Sequence, residues 1–261
     1  MTAAAFDFAA WFSALPVLVA AATFTWLLSL PLRNVSIVDS LWSLMLFSAG
    51  VIYSLGCDPR APRLAFVLWL LALWAGRLAL YITARNLGKG EDSRYRAIRA
   101  RNEPGFQWKS MYLVFWLQAG LAWVISLPLL GAFSSLRPVG WLDAVGAALW
   151  LVGFVFETGA DWQLARFKRD PANAGHVLDR GFWRYTRHPN YFGEFCVWWG
   201  FGFFALAAGA WWALPGPLLI SFLLLKVSGV TLLEQDIGNR RPRYADYVLK
   251  TNAFFPGPRR K

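Results

Sequence analysis

Seven stretches of about twenty apolar residues dominate this chain, and they fix its class before any motif is read. At 1.5 Å per residue, a helix of that length crosses the roughly 30 Å of hydrocarbon in a bilayer. The stretches are Phe8–Leu32, Ser36–Leu55, Leu64–Ala84, Met111–Phe133, Trp141–Ala165, Asn190–Gly209 and Trp211–Leu233. Lipid offers a backbone no hydrogen-bond partner, so each is predicted to be helical. A hydrophobic share of 57%, with only 16% charged residues, also argues against a soluble domain of 261 residues. The first stretch lacks a basic start and a small-residue cleavage site, so it is read as a span and not as a leader. The expected class is an all-α integral membrane protein with seven transmembrane helices, forming one membrane domain over residues 1–261.

Charge then sets the expected orientation. The net charge is +11, and about twenty of the 26 Lys and Arg residues fall in three segments: 85–109, 166–187 and 240–261. Only Arg60, Arg63 and Arg137 lie in the alternate loops. This bias places the N-terminus outside and the C-terminus in the cytoplasm. Orientation and attraction to anionic membrane lipids account for the charge, so no nucleic-acid partner is expected. Two His residues without paired ligand spacing give no expectation of a metal. Cys57 in an outer loop and Cys196 within a span are not expected to bridge.

Ionisable residues inside spans are costly and by default face the bundle interior. They include Asp39, Arg77, Glu157, Asp161, Glu194 and Lys226, with Glu234 closing the seventh, most of them toward the cytoplasmic ends. Glu157 and Asp161 are four apart and share a helix face; so do Asn190 with Glu194 and Arg77 with Tyr81. A purely structural role is open for several. Arg77 would pair with Asp39 or Glu157 as interhelical glue, and Lys226 would snorkel.

The segment "RYTRHPNYFGEF" at the start of the sixth stretch has its own logic. Pro189 suits a first helical turn, where its missing N–H costs nothing. The free backbone donors there favour an anion. Arg184, Arg187 and His188 flank the turn, and Arg166, Lys168 and Arg169 lie one loop earlier, a setting suited to phosphates. Asn190 and Glu194 place an amide and a carboxylate one turn apart, which a nicotinamide carboxamide or a ribose would use. The sequence contains neither GxGxxG nor a Walker pattern, so any nucleotide would be held by the helical bundle.

"RYTRHPNYFGEFCVWWGFGF", "SGVTLLEQ" and "RPRYADYVLKTNAFFP" resemble the C-terminal part of the steroid 5-alpha-reductase superfamily. "SIVDSLW" and "WAGRLALYITARNLGKGEDSRYRAIR" resemble its bacterial branch, DUF1295. The resemblance implies a seven-helix reductase of the bacterial inner membrane that uses NADPH from the cytoplasmic side. It would take a lipophilic, steroid- or isoprenoid-like substrate from the bilayer and transfer hydride to a C=C bond conjugated to a carbonyl. By motif, Asn190 and Glu194 occupy the family's cofactor-binding Asn and Glu. Asp161 and Arg77 match cofactor-contacting residues of helices five and three, and Arg166, Lys168, Arg187 and His188 would serve the phosphates. Glu157, Tyr191 and Glu234 complete the candidate cofactor set, placing the cofactor-binding part at about 141–261. Tyr247 and Pro256 fit the family's tail pattern.

The steroid reductases carry a Gln–Glu pair in helix two, where this chain has Asp39 and Trp42. Trp74 stands where they place a Tyr. Trp42, Trp74 and Trp198 are therefore the candidate substrate contacts. Charge developing on the substrate carbonyl needs a donor in a dry site. Asp39, as a buried neutral acid, is the first candidate and Tyr81 the second. Two other classes stay open. An S-adenosylmethionine-dependent membrane methyltransferase would use the RHPxY pattern of Arg187, His188, Pro189 and Tyr191 together with Glu234. A non-catalytic heptahelical protein would bind neither cofactor.

Overall fold

The computed structural model describes residues 4–227 and 244–260. Among the described residues there are helices and turns but no strand. Six helical runs among the described residues are long and apolar enough to cross a membrane: 8–32, 35–56, 64–86, 106–133, 141–169 and 189–208. They agree with the first six predicted spans to within a few residues. The seventh is represented by the shorter apolar run Trp211–Val227. The rest of that predicted span, together with Glu234, lies outside the described residues.

The chain packs as two units, 1–139 with 204–215, and 140–203 with 216–261. In the first, α1 (Phe8–Leu32) begins with Asp7, whose side chain caps the Ala10 N–H, and ends on Arg33 in the left-handed region. A 3₁₀ turn at Val35–Ile37 leads into α2 (Val38–Gly56), followed by α3 (Leu64–Asn86) and the short α4 (Ser93–Asn102). The fourth span is built in pieces: α5 (Phe106–Ser110), a π-helical segment Met111–Trp116, α6 (Leu117–Ile125) and α7 (Leu127–Phe133). Pro128 in the first turn of α7 explains the second break, because its ring cannot continue the preceding helix.

Indoles stitch α1 to this span. Trp11 and Trp123 stack at 3.8 Å and each donates to the other's backbone carbonyl, while Trp26 donates to Gln107 O and Trp116 to Thr23 Oγ1. Each bond gives a polar indole nitrogen a partner in surroundings short of water. At the other end, the fully buried Arg63 donates to the carbonyls of Arg137 and Pro138, closing two loops on one guanidinium. Leu127, Ala205, Ala210 and Ala213 form a small buried core, with Phe6, Trp11 and Trp212 against it.

The second unit contains α8 (Trp141–Arg169), 3₁₀ turns at Pro171–Asn173 and Gly181–Arg184, and α9 (Pro189–Ala208) through residue 203. It then has α10 (Pro215–Phe222), a π-helical segment Leu223–Val227, and α11 (Tyr244–Lys250). Glycines bring α8 and α9 into backbone contact. A Cβ on Gly193 would lie 2.5 Å from Glu157 N and 2.6 Å from Gly153 O. A Cβ on Gly153 would lie 2.5 Å from Gly193 O, and one on Gly200 would lie 2.8 Å from Gly146 O. Small residues at helix contacts are how membrane helices gain packing without a hydrophobic driving force.

Gly193→Ala is expected to destabilise the protein by about 1–3 kcal/mol, because the obstructing atoms are backbone. Gly76→Ala, in the interior of α3 where a new Cβ meets nothing within 4 Å, is the control and should raise stability by about 0.5–1 kcal/mol. Unfolding temperatures in detergent check both.

Candidate functional site

In the second unit the α8–α9 contact places the polar residues. Glu157 and Asp161 are buried one turn apart on α8. Asn190, the second residue of α9, donates its side-chain amide to Asp161 Oδ1 at 3.3 Å. Glu194 lies one turn further along α9 and is half-buried. His188 is buried immediately before the helix, its ring parallel to that of Tyr191 at 5.8 Å. Four acid or amide groups thus lie on two helices whose spacing the glycines fix.

The far end of α8 opens into a cavity of about 490 Å³. Its walls include Trp162, Gln163, Arg166, Asn173 and Arg180. The Arg166 guanidinium lies over the exposed Trp162 ring at 5.5 Å, a cation–π arrangement beside open space. Lys168 is exposed on the last turn of the same helix. An aromatic face with two guanidiniums on its rim can take a planar, anionic ligand.

Arg187 is one of the residues expected at the phosphates. It is buried, and its guanidinium donates to the carbonyls of Val248 and Thr251 at the end of α11. It thereby satisfies acceptors that a helix terminus leaves open. Trp198 is fully buried on α9 with its ring against Phe201.

The first unit carries a separate polar cluster. Asp39, in the first turn of α2, accepts from Arg94 at 2.8 Å and from the Tyr95 hydroxyl at 2.6 Å. Each carboxyl oxygen thus has a polar neighbour, Arg94 at one and the Tyr95 hydroxyl at the other. Gln118 of α6 donates to the same hydroxyl at 3.2 Å. Burial, and then the Asp39 carboxylate, push the Tyr95 pKa well above the ordinary tyrosine value. Sequence reading missed Arg94, Tyr95 and Gln118. Gln118 was the available signal, being the sole amide side chain in the fourth predicted span.

Arg77 and Arg85 lie over the Tyr81 ring at 5.5 and 5.9 Å. Trp74 is fully buried on α3, and Trp42 is half-buried on α2. The loop before α4 is docked onto the start of α2. Val35 N–H donates to Glu91, Asp92 N–H donates to Ser36 Oγ, and Arg99 forks onto both Glu91 oxygens.

Burial alone would raise the Glu91 pKa, but Arg99 and the Val35 N–H outweigh it and hold the group below its ordinary value. A carboxylate depressed in the fold stabilises it above the unfolded pKa of about 4.3 and loses that contribution as pH falls through the folded value. Protease cleavage within 87–102 should therefore accelerate on acidification below about pH 4, and Glu91→Gln should cleave quickly at every pH.

The family model described as "Protein of unknown function (DUF1295)" matches residues 25–251. An uncharacterised protein of Schizosaccharomyces pombe is 27% identical over 271 aligned residues, covering 88% of this chain and 75% of that protein. The 3-oxo-5-alpha-steroid 4-dehydrogenase 1 of Rattus norvegicus is 40% identical over 112 residues, 42% of this chain and 40% of that enzyme. Its Mus musculus counterpart is 40% identical over 80 residues, 30% of this chain and 29% of that enzyme. The chain thus aligns with less than half the length of either steroid dehydrogenase. No solved structure matches it significantly. With six apolar helices of membrane-crossing length and these relatives, the chain is a multi-pass membrane protein.

Proposed function

We propose, from the premise that this chain belongs to the DUF1295 family, that it is a membrane-embedded NADPH-dependent reductase. Its substrate is a lipophilic molecule from the bilayer, and hydride goes to a C=C bond conjugated to a carbonyl. The observation that carries the reading is the hydrogen bond from Asn190 of α9 to the buried Asp161 of α8, one turn from the buried Glu157. The local identity to enzymes named steroid 4-dehydrogenases supports the reductase class.

The residues fit a dinucleotide in a physical sense. Asn190 supplies an amide and Asp161, Glu157 and Glu194 supply carboxylates, a donor and acceptor set suited to a carboxamide and ribose hydroxyls. Arg166, Arg180 and Lys168 provide cations for phosphate at the end of the same helix. Bound NADPH would supply the hydride. The protein's part is to hold the nicotinamide end among buried groups and to keep water from it. Residues 141–261 form the cofactor-binding part of a single membrane domain. Seven spans with a cytoplasmic C-terminus put this end of α8 on the cytoplasmic side of an inner membrane. His188, Tyr191 and Arg77 remain proposed cofactor neighbours. Trp42, Trp74 and Trp198 remain proposed substrate contacts. Glu234 stays in the cofactor set and lies outside the described residues.

On the substrate side, Tyr81 is the proposed proton donor, with Arg77 and Arg85 over its ring. Asp39 takes a holding role, because its two oxygens are occupied by Arg94 and Tyr95.

Purified protein in detergent should bind NADPH and not S-adenosylmethionine. Asn190→Ala should weaken NADPH binding about 2- to 10-fold, the usual loss for a hydrogen bond between neutral partners. S-adenosylmethionine binding without NADPH binding would favour the methyltransferase class, and binding of neither would leave a non-catalytic membrane protein. With a conjugated enone as substrate, Tyr81→Phe should lower kcat at least 100-fold while leaving the KM for NADPH unchanged, as loss of a general acid requires.

A further inference from the structure

The segment Tyr244–Arg260 reaches both helices that carry the Asn190–Asp161 pair. The Tyr247 hydroxyl donates to Trp183 O, and the Trp183 indole donates in turn to Ala160 O, next to Asp161. The same 3₁₀ turn is tied to α8 a second time, through the Phe182 N–H and Gln163 Oε1. On the α9 side, Arg187 donates to Val248 O and Thr251 O, and its backbone N–H donates to Asn252 O. Thr186 Oγ1 donates toward Phe254 O at 2.8 Å, and Gly257 N–H donates to Tyr185 O. Thr186, Arg187, Tyr247 and Thr251 are all buried. Arg187 stands two residues before Pro189, the first residue of α9, and three before Asn190.

We infer that this C-terminal segment is a clasp that sets the spacing of Asp161 and Asn190, with Arg187 and Tyr247 as its positioning residues. One arm runs through Tyr247 and Trp183 to α8 at Ala160; the other runs through Arg187 to the first turn of α9. A displacement of the segment moves both ends of a 3.3 Å hydrogen bond at once. The consequence for binding rests on the nucleotide reading above; the clasp itself does not.

The test is amide hydrogen exchange of the full chain in detergent without nucleotide, for Tyr247→Phe, Arg187→Met and Arg187→Lys. In the first two, exchange at residues 160–165 and 191–195 should rise about tenfold, while residues 146–153 of α8 keep their protection. Arg187→Lys should restore part of the protection at 191–195, because an ammonium can still donate to one carbonyl. The Kd for NADPH should rise about tenfold in Tyr247→Phe and Arg187→Met. Faster exchange confined to 183–187 and 244–260 would overturn the clasp and leave the segment as local packing. If Arg187→Met does not fold, Tyr247→Phe decides alone. If the wild-type protein binds no NADPH, the cofactor reading falls while the exchange result still decides the clasp.

Discussion

The close approach of two helix backbones at Gly153 and Gly193 is the constraint on which the candidate site depends. Hydrocarbon gives no hydrophobic drive to bring helices together, so packing must do it, and packing this close requires that neither residue have a side chain. Gly146 and Gly200 repeat the contact seven residues away on each helix. Seven residues is close to two helical turns, so both contacts fall on one face. The result is that Asp161 and Asn190, near the open end of the seam, meet within hydrogen-bonding distance.

The rest of the polar inventory follows from the cost of an unpartnered charge in a membrane. Asp39 is met by Arg94 and Tyr95, Arg63 by two loop carbonyls, and Arg187 by two carbonyls at the end of α11. In the last two cases a side-chain cation does work usually left to water, closing backbone acceptors at loop and helix ends. The arginines of this chain therefore divide. Some, such as Arg63 and Arg187, hold backbone; others, such as Arg166 over Trp162, stand at an open cavity. Net charge alone could not tell them apart.

That division marks where the sequence was legible. The predicted limits of the first span, Phe8 and Leu32, coincide with those of α1, because an unbroken apolar run bounded by Asp7 and Arg33 leaves one low-energy choice. The Asn190–Glu194 spacing likewise exposed a helix face at a span entrance. Arg187 was expected at the phosphates from the motif and its basic neighbours, and the carbonyl oxygens of residues 248 and 251 that its guanidinium reaches were not foreseen. Backbone acceptors leave no mark in a sequence. Tyr95 was passed over in a polar loop, since only the fold brings α4 against the start of α2. The π-helical segments within the fourth span and after α10 had no sequence signal that separates them from ordinary helix.

The small core of Leu127, Ala205, Ala210 and Ala213 has a consequence for biosynthesis. Ala205, Ala210, Ala213 and Trp212 of this cluster come from residues 204–215, which leave the ribosome only after residues 140–203 have been made. At roughly 5–20 residues per second, the N-terminal helices wait several seconds in the bilayer for the alanines that complete their packing. During that interval Trp11, Val124 and Leu127 present an unfilled apolar face to lipid or to membrane-insertion factors. The order of synthesis thus makes the turn after α9 the last piece of the first unit, and a chain released before residue 215 would lack it.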